Sequence, residues 1–403
     1  MYSKSFDSQQ IPTGRIIGWD TKQPTEINIV SLKLDYVHPF NTKTKLESGL
    51  KFSNVKTDNK IVFNNLENNT WNPDPLRSDQ FIYKESISAA YASLSHQFKT
   101  TSVQLGLRAE HTYWEGDSQS LHEVRDSSYL NLFPSLFVMQ PLNKNHSIRF
   151  SYSYRIGRPK YEQLNPFAFY VDPYTYNKGN PFLQPQFTHS MQLSHSWKQI
   201  ITTTASLGFT KDAISQILYQ DESTMAGMVS HANLSDSYNA DLTINVQLPI
   251  FKWWMFITNL SGTYGDWTTQ YMGETITNNR LSGNIWAQNT FTLPKNYTLE
   301  LSGWYQTRGS EGMINFRDAG SIDLGIQKKI LKQNGTLRFS VSDILKTSDP
   351  KDVTVRYSNV DLLQKTSRES RKFSLTFTYR FGKTDIKPAR QRNTASEEEQ
   401  NRI

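Results

Sequence analysis

Long segments of this chain alternate strictly between apolar and polar residues, and few folds can use strands so long and so two-faced. Between 147 and 156, Ile148, Phe150, Tyr152, Tyr154 and Ile156 point one way, while Ser147, Arg149, Ser151, Ser153 and Arg155 point the other. Over 103–113, Val103, Leu105, Leu107, Ala109, His111 and Tyr113 oppose Gln104, Gly106, Arg108, Glu110 and Thr112. The same division recurs over 238–248 and 373–381. Period two marks a β-strand with unlike sides. Residues 81–97 and 252–265 mix the two faces, which predicts a bulge or a shifted register there.

The pattern predicts fifteen strands: 26–37, 43–55, 81–97, 101–114, 129–139, 146–157, 187–197, 201–218, 237–248, 252–265, 280–293, 297–308, 319–331, 336–345 and 371–382. Short links such as HPFNT, FKT, PLNKNH, KQI and PKN alternate with long ones at 56–80, 115–128, 158–186, 219–236, 266–279, 309–318 and 346–370. Tight turns at one end and long loops at the other describe an up-and-down membrane barrel. Sandwich strands average about five or six residues, whereas a tilted bilayer-crossing strand needs about 9–11. The fold expected is therefore all-β, a transmembrane antiparallel up-and-down β-barrel over 26–382. An irregular outer-loop remnant at 1–25 precedes it, and a disordered, charged periplasmic tail at 383–403 follows. The inward faces are too polar for a dry core, so the lumen must hold water or a plug of polypeptide. An odd count is awkward for a bacterial single-chain barrel; a 22-stranded barrel without its first seven strands would leave about 15.

Composition narrows the function classes. No apolar run reaches 18 residues, so no transmembrane helix is expected. Mean hydropathy is −0.60, yet there are 9 Trp, 20 Tyr and 22 Phe, as suits strands whose alternation hides from window hydropathy. Zero cysteine removes disulfides, thiolate metal sites and thiol nucleophiles. The net charge of +7 is diffuse, so no nucleic-acid partner is expected. The start MYSKSFDSQQIPTG carries no export signal; the reading preferred is a longer exported chain whose first part is absent. His189 and His195 share one face six residues apart, roughly 20 Å along a strand, too far to share a metal. No HExxH, P-loop, GxGxxG or GxSxG occurs. No catalytic set, metal site or cofactor is expected.

Residues 155–185, RIGRPKYEQLNPFAFYVDPYTYNKGNPFLQP, resemble a segment typical of Bacteroidetes TonB-dependent receptors of the outer membrane β-barrel protein family. GLRAEHTYWEG at 106–116, NLFPSLF at 131–137, NTFTLPKNYTLELSGWYQ at 289–306 and ESRKFSLTFTYRFGK at 369–383 are similar too. The resemblance implies the C-terminal barrel region of such a receptor, with plug domain and early strands missing. It implies residence in the outer membrane of a Gram-negative, Bacteroidetes-like cell, among lipid and lipopolysaccharide. It also implies a plug domain and the TonB complex as partners, with a surface lipoprotein as a further one. The parent would import a large nutrient (a metal chelate, cofactor, glycan or peptide) by loop capture and plug displacement. A stand-alone passive porin-like or structural barrel stays open as the alternative, as do a membrane-embedded hydrolase and a secreted binding protein.

Two groups of residues are candidates for function. Loop 158–186 holds Pro159, Pro166, Pro173, Pro181 and Pro185 among many aromatics. Proline fixes φ and lowers loop entropy, so Tyr161, Phe169, Tyr170, Tyr174 and Tyr176 could form a pre-shaped ligand-contact surface. The other reading is a self-packed loop that stiffens or caps the barrel. Arg108, Glu110, Arg149, Arg155, Asp241 and Glu300 fall on polar faces, with Lys51 and Arg338 among others. They would line the lumen, there to guide a solute, to dock a plug, or to pair with one another. Lys328 falls in phase with outward Ile322, Leu324 and Ile326, near enough to the short-turn end to snorkel.

Overall fold

The computed structural model describes residues 2–6, 12–67, 69–75, 77–119, 123–172, 174–221, 226–234, 236–271, 274–348, 352–357, 360–367, 369–382 and 394–403. Fifteen strands form a barrel-like wall: β1 Thr25–Pro39, β2 Thr44–Glu67, β3 Asp79–Gln97, β4 Ser102–Ser118, β5 Glu123–Pro141, β6 His146–Gly157, β7 Gln186–Trp197, β8 Ile201–Lys211, β9 Ser237–Phe251, β10 Trp254–Tyr271, β11 Glu274–Leu293, β12 Tyr297–Gln306, β13 Ala319–Ile330, β14 Gly335–Ser342 and β15 Lys372–Tyr379. Each pairs antiparallel with its sequence neighbour from β1 to β15. Among the described residues, no register pair joins β15 to β1. No described helix is long and apolar enough to cross a membrane, so any crossing is made by strands.

The alternation acts as the sequence implies. Leu32, Leu34, Leu50, Leu130, Leu132, Phe373 and Leu375 stand exposed on the outer face, Leu375 at 71%. A continuous apolar surface of this kind marks contact with a partner or a membrane rather than water. At one end the turns are tight and need little glycine. Asn41 accepts from the backbone N–H groups of Lys43 and Thr44, each at 2.8 Å. Asn143 does the same for Asn145 and His146, the local side-chain bonding that lets asparagine close turns. Gln199, Lys295 and Lys332 take left-handed φ values of 57°, 59° and 56° in three further turns.

At the opposite end the long links are built rather than loose. Strand β2 runs on for 24 residues, through much of the link expected at 56–80. Its far part pairs with Pro12–Lys22 and Thr70–Pro73, and Tyr2–Phe6 pairs with Pro12–Lys22. Residues 2–6 and 12–22 are thus strands, unlike the irregular segment expected at 1–25. Two four-stranded sheets arise from the other links. One joins Ala168–Asp172, Thr175–Lys178, Ala226–Asn233 and Ile214–Asp221; the second joins Gly309–Glu311, Ile314–Phe316, Val353–Tyr357 and Val360–Gln364.

These additions overturn the expectation of a receptor's trailing barrel region with plug and early strands missing. With the three extra strands the main sheet holds 18, fifteen of them in the wall and three beside the far part of β2. The lumen is also occupied by this chain's own polypeptide, including part of the expected tail. Residues 383–393 lie outside the described residues, as does Pro173. Residues 394–403, however, carry a short helix α2, Glu397–Gln400, and pack against the wall.

The core sits on the inner face of β2–β4, not in the middle of the wall. There Val55, Ile61, Phe63, Phe81, Tyr83 and Trp114 pack beneath Tyr161, Leu164, Phe167 and Leu183 of the 158–186 link, with Trp19 alongside. This cover explains the mixed faces of 81–97. The register of β3 is unbroken on both sides; Phe81, Tyr83 and Ile87 are apolar and inward because protein, not water, lies over them. Near the other mixed segment the register does shift, between Pro249 and Phe251.

Candidate functional site

The inward rows of β2, β3 and β4 set two charged residues around one small one. Lys51 stands opposite Ala89, which stands opposite Glu110. The alanine methyl leaves room between the two longer side chains. Four residues along, on the same face, Glu85 lies between Val55 and Trp114, so its carboxylate is in an apolar row and is 2% exposed. A carboxylate so placed must find cations, because a lone buried charge is costly.

Those cations arrive from two directions. At the end of β6, the motif residue Arg158 pairs with Glu110, donates to Thr112 Oγ1 at 3.0 Å and faces Glu85 at 4.0 Å. From the C-terminal segment, Arg402 pairs with Glu85, donates through Nε to the Pro159 carbonyl at 3.0 Å, and lies 4.3 Å over the Tyr161 ring. Tyr83 adds a hydroxyl donor to Glu85 at 3.2 Å. On the other flank Lys51 meets Glu398 at 2.5 Å and Glu399 at 2.9 Å. Arg108 holds Glu110 at 2.6 Å and approaches Glu398 at 3.7 Å. The buried members are Lys51, Arg158 and Arg402 against Glu85, Glu110 and Glu399, equal in number and opposite in sign.

Electrostatics follow from this packing. Burial opposes ionisation of Glu398, but the Lys51 ammonium, with Arg108 beyond it, holds the carboxyl below its usual range. Burial works against charge on Arg402, and Glu85 outweighs it, so the guanidinium holds its proton more firmly than usual. Burial pushes the Tyr161 hydroxyl well up.

The loop over this site is shaped by its own sequence. Helix α1, Tyr161–Leu164, is capped by Gln163 Oε1 accepting from the Lys160 N–H at 2.9 Å. Gly179 passes so close that a Cβ there would sit 2.3 Å from the Asn165 carbonyl oxygen and 2.7 Å from that of Gln163. Asn180 then donates to Gln163 O at 2.6 Å and to His231 O at 3.0 Å. The LNPF and GNP parts of the motif thus fasten one loop to another.

The candidate residues separate into different roles. Tyr161 is buried against Tyr83 and Arg402. Tyr170 packs on Phe63, Trp19 and Tyr176. Phe169 and Tyr174 are exposed. Arg108 and Glu110 belong to the network, and Arg155 edges a cavity of about 420 Å³ beside Arg108, Arg158, Glu398 and Arg402. Arg149 is exposed nearer the short-turn end of β6. Asp241 accepts from Asn239 and Thr263, both at 2.7 Å, and Glu300 pairs with Arg338 at 2.6 Å; both lie on other strands, β9 and β12. Lys328 reaches the Tyr297 hydroxyl at 2.9 Å. Among the described residues no group of three metal-ligating side chains occurs; His195 pairs instead with His146 at 2.9 Å.

Glu85, Arg158, Glu398, Glu399 and Arg402 were not singled out from sequence. The available signals were the mixed faces of 81–97, the arginine of the RP motif, and an acidic run ending in Arg402.

A wall of fifteen antiparallel strands is the architecture on which the comparisons bear. Residues 3–379 match the outer membrane protein beta-barrel family. The chain belongs to that family. This outer-membrane barrel resembles the copper transporter OprC with TM-score 0.62 at 11% identity, over 92% of this chain and 58% of that one. It resembles the ferric yersiniabactin uptake receptor FyuA from Yersinia pestis with TM-score 0.61 at 11% identity, over 91% and 55%. For the ferric citrate transporter FecA in its unliganded form the values are 0.59 and 12%, over 91% and 56%. At such identities the likeness is one of fold, and the chain spans little more than half the length of each. No curated protein matches it. The earlier reading as a Bacteroidetes receptor's C-terminal region is corrected by the strands built at 2–6 and 12–22 and by the two small sheets; the family shown is that of outer-membrane barrels. The outer-membrane setting rests on the family match; similar structures such as those from Yersinia pestis, Acinetobacter baumannii and E. coli lend no support to Bacteroidetes.

Proposed function

We propose that this chain is the barrel of an energised outer-membrane importer for a large nutrient, a metal chelate, cofactor, glycan or peptide. One observation carries the reading: a family outer-membrane barrel with the fold of uptake receptors holds its own C-terminal segment against the inner face of its wall. A passive pore gains nothing from burying three cation–anion pairs beside its lumen, whereas an importer must stay shut at rest and open on demand. Loop capture falls to the exposed Phe169 and Tyr174, with Tyr170 and Tyr176 holding the sheet beneath them. The lumen charges away from the buried ionic network, Asp241, Glu300 and Arg149, line the route, with Arg155 at the edge of that network. A plug domain and the inner-membrane TonB complex are the partners that this mechanism requires, and a surface lipoprotein is a further one.

The test pairs conductance with uptake. The full chain in planar bilayers should pass little current at rest, and uptake by expressing cells should stop when a protonophore removes the energy source. Steady open-pore current together with protonophore-insensitive uptake would replace this reading with a passive porin.

A further inference from the structure

The C-terminal segment is held in a way that exposes the nature of the site beneath it. Helix α2 has four residues, and isolated helices shorter than about 12–15 residues are marginal in water. Its order therefore comes from what it docks against. That docking is ionic: Glu398 and Glu399 on Lys51, Arg402 on Glu85, and a backbone bond from the Tyr161 N–H to the Arg402 carbonyl at 3.0 Å. The apolar share is small, with the Arg402 guanidinium stacked on Tyr161 and Ile403 left exposed. A segment held mainly by charge can leave without presenting an oily surface to water, since both sides can be hydrated.

We propose that the inner face of β2–β4, roofed by α1, is a peptide-binding site for sequences with two adjacent acidic residues followed three positions later by arginine, and that residues 394–403 are its ligand in cis. Lys51 reads the acidic pair, Glu85 reads the arginine, and Tyr161 supplies both a stacking surface and a backbone donor. Spacing sets the selectivity: Lys51 and Glu85 sit on the inward faces of neighbouring strands, offset by four residues in register (Lys51 opposite Ala89), and one helical turn bridges them. Arg158 and Glu110 pair with each other beside the groove, which keeps the empty site from collapsing onto its own charges. The seated segment fills part of the lumen, and a competing peptide of like pattern, from a plug or from a cargo, would displace it. The inference concerns binding alone and does not depend on energised import.

The test uses a chain ending at Asn393 and a fluorescein-labelled peptide TASEEEQNRI, read by anisotropy in detergent. Saturable binding is expected, at least about tenfold weaker for the peptide with Arg402→Ala, for the truncated chain carrying Glu85→Gln, and for the full chain, whose site is already filled. Equal binding by full and truncated chains, or no binding by a truncated chain with intact β-sheet signal, would overturn the proposal. If truncation prevents folding, the cysteine-free full chain takes a spin label at Ala395→Cys. An immobilised spectrum that becomes mobile when Arg402→Ala is added supports the proposal; a spectrum already mobile, or one unchanged by that substitution, refutes it.

Discussion

Replacing Glu85 with glutamine keeps the shape of the side chain and removes its charge. Arg402 loses its buried anion, and Arg158 keeps only Glu110. Breaking a buried pair by removing one partner costs about 3–5 kcal/mol. The wall need not bear that cost, because Arg402 sits on a segment that can withdraw and hydrate. The expected outcome is therefore local release. At about 1.4 kcal/mol per tenfold, the docking equilibrium should shift by roughly two to three and a half orders of magnitude, while the melting temperature of the sheet changes by only a few degrees. A spin label at Ala395→Cys reports the release, and circular dichroism on heating reports the wall. Adding Arg402→Met to Glu85→Gln should restore much of the docking, since an apolar side chain of similar volume is often neutral at such a site. Two results would refute the reasoning: a segment that stays docked in Glu85→Gln with an unchanged melting temperature, or a wall that unfolds with the label still immobilised.

Three further outcomes are expected. Phe63 is 1% exposed beneath the 158–186 loop, so Phe63→Ala should destabilise the folded chain by about 3–5 kcal/mol in urea titrations in detergent. Glu398 has its carboxyl held below the usual range in the docked state, so it binds protons less readily docked than free. Its contribution is then complete above the ordinary carboxylate pKa, near about 4.3, and is lost as pH falls through the lower docked value. The Ala395→Cys label should be unchanged between about pH 6 and 8 and become mobile only on strong acidification. On the outer face Leu132 is 55% exposed; Leu132→Arg should cost up to about 2–4 kcal/mol in lipid, depending on depth, whereas Arg149→Gln should be nearly neutral by the same refolding assay.

What was legible in the sequence is what a bilayer writes there. With oil on one side of each wall strand and solvent on the other, residues such as Ile148 to Ile156 alternate, and fifteen strands followed from that pattern together with the alternation of short and long links. The remainder depends on contacts that leave no local period. Tyr2–Phe6 and Pro12–Lys22 sit beyond the apolar band, where alternation is not required. The inward apolar residues Phe81, Tyr83 and Ile87 looked like a fault in β3 because their cover comes from a loop some eighty residues later. Part of the charged tail is ordered for an equally distant reason: its carboxylates and its arginine each meet a buried opposite charge on β2 or β3. Of the aromatic candidates, Tyr161 and Tyr170 hold the loop down, an outcome that composition could not separate from ligand contact.

Lys51 and Glu398 stand 347 positions apart in the chain. Loop-closure entropy makes so distant a contact slow to reach, and neither the groove nor its roof exists until the β2–β4 hairpins and the 158–186 link are in place. The end of the chain can therefore settle only after nearly everything before it has been assembled, and its arrival records that assembly is finished.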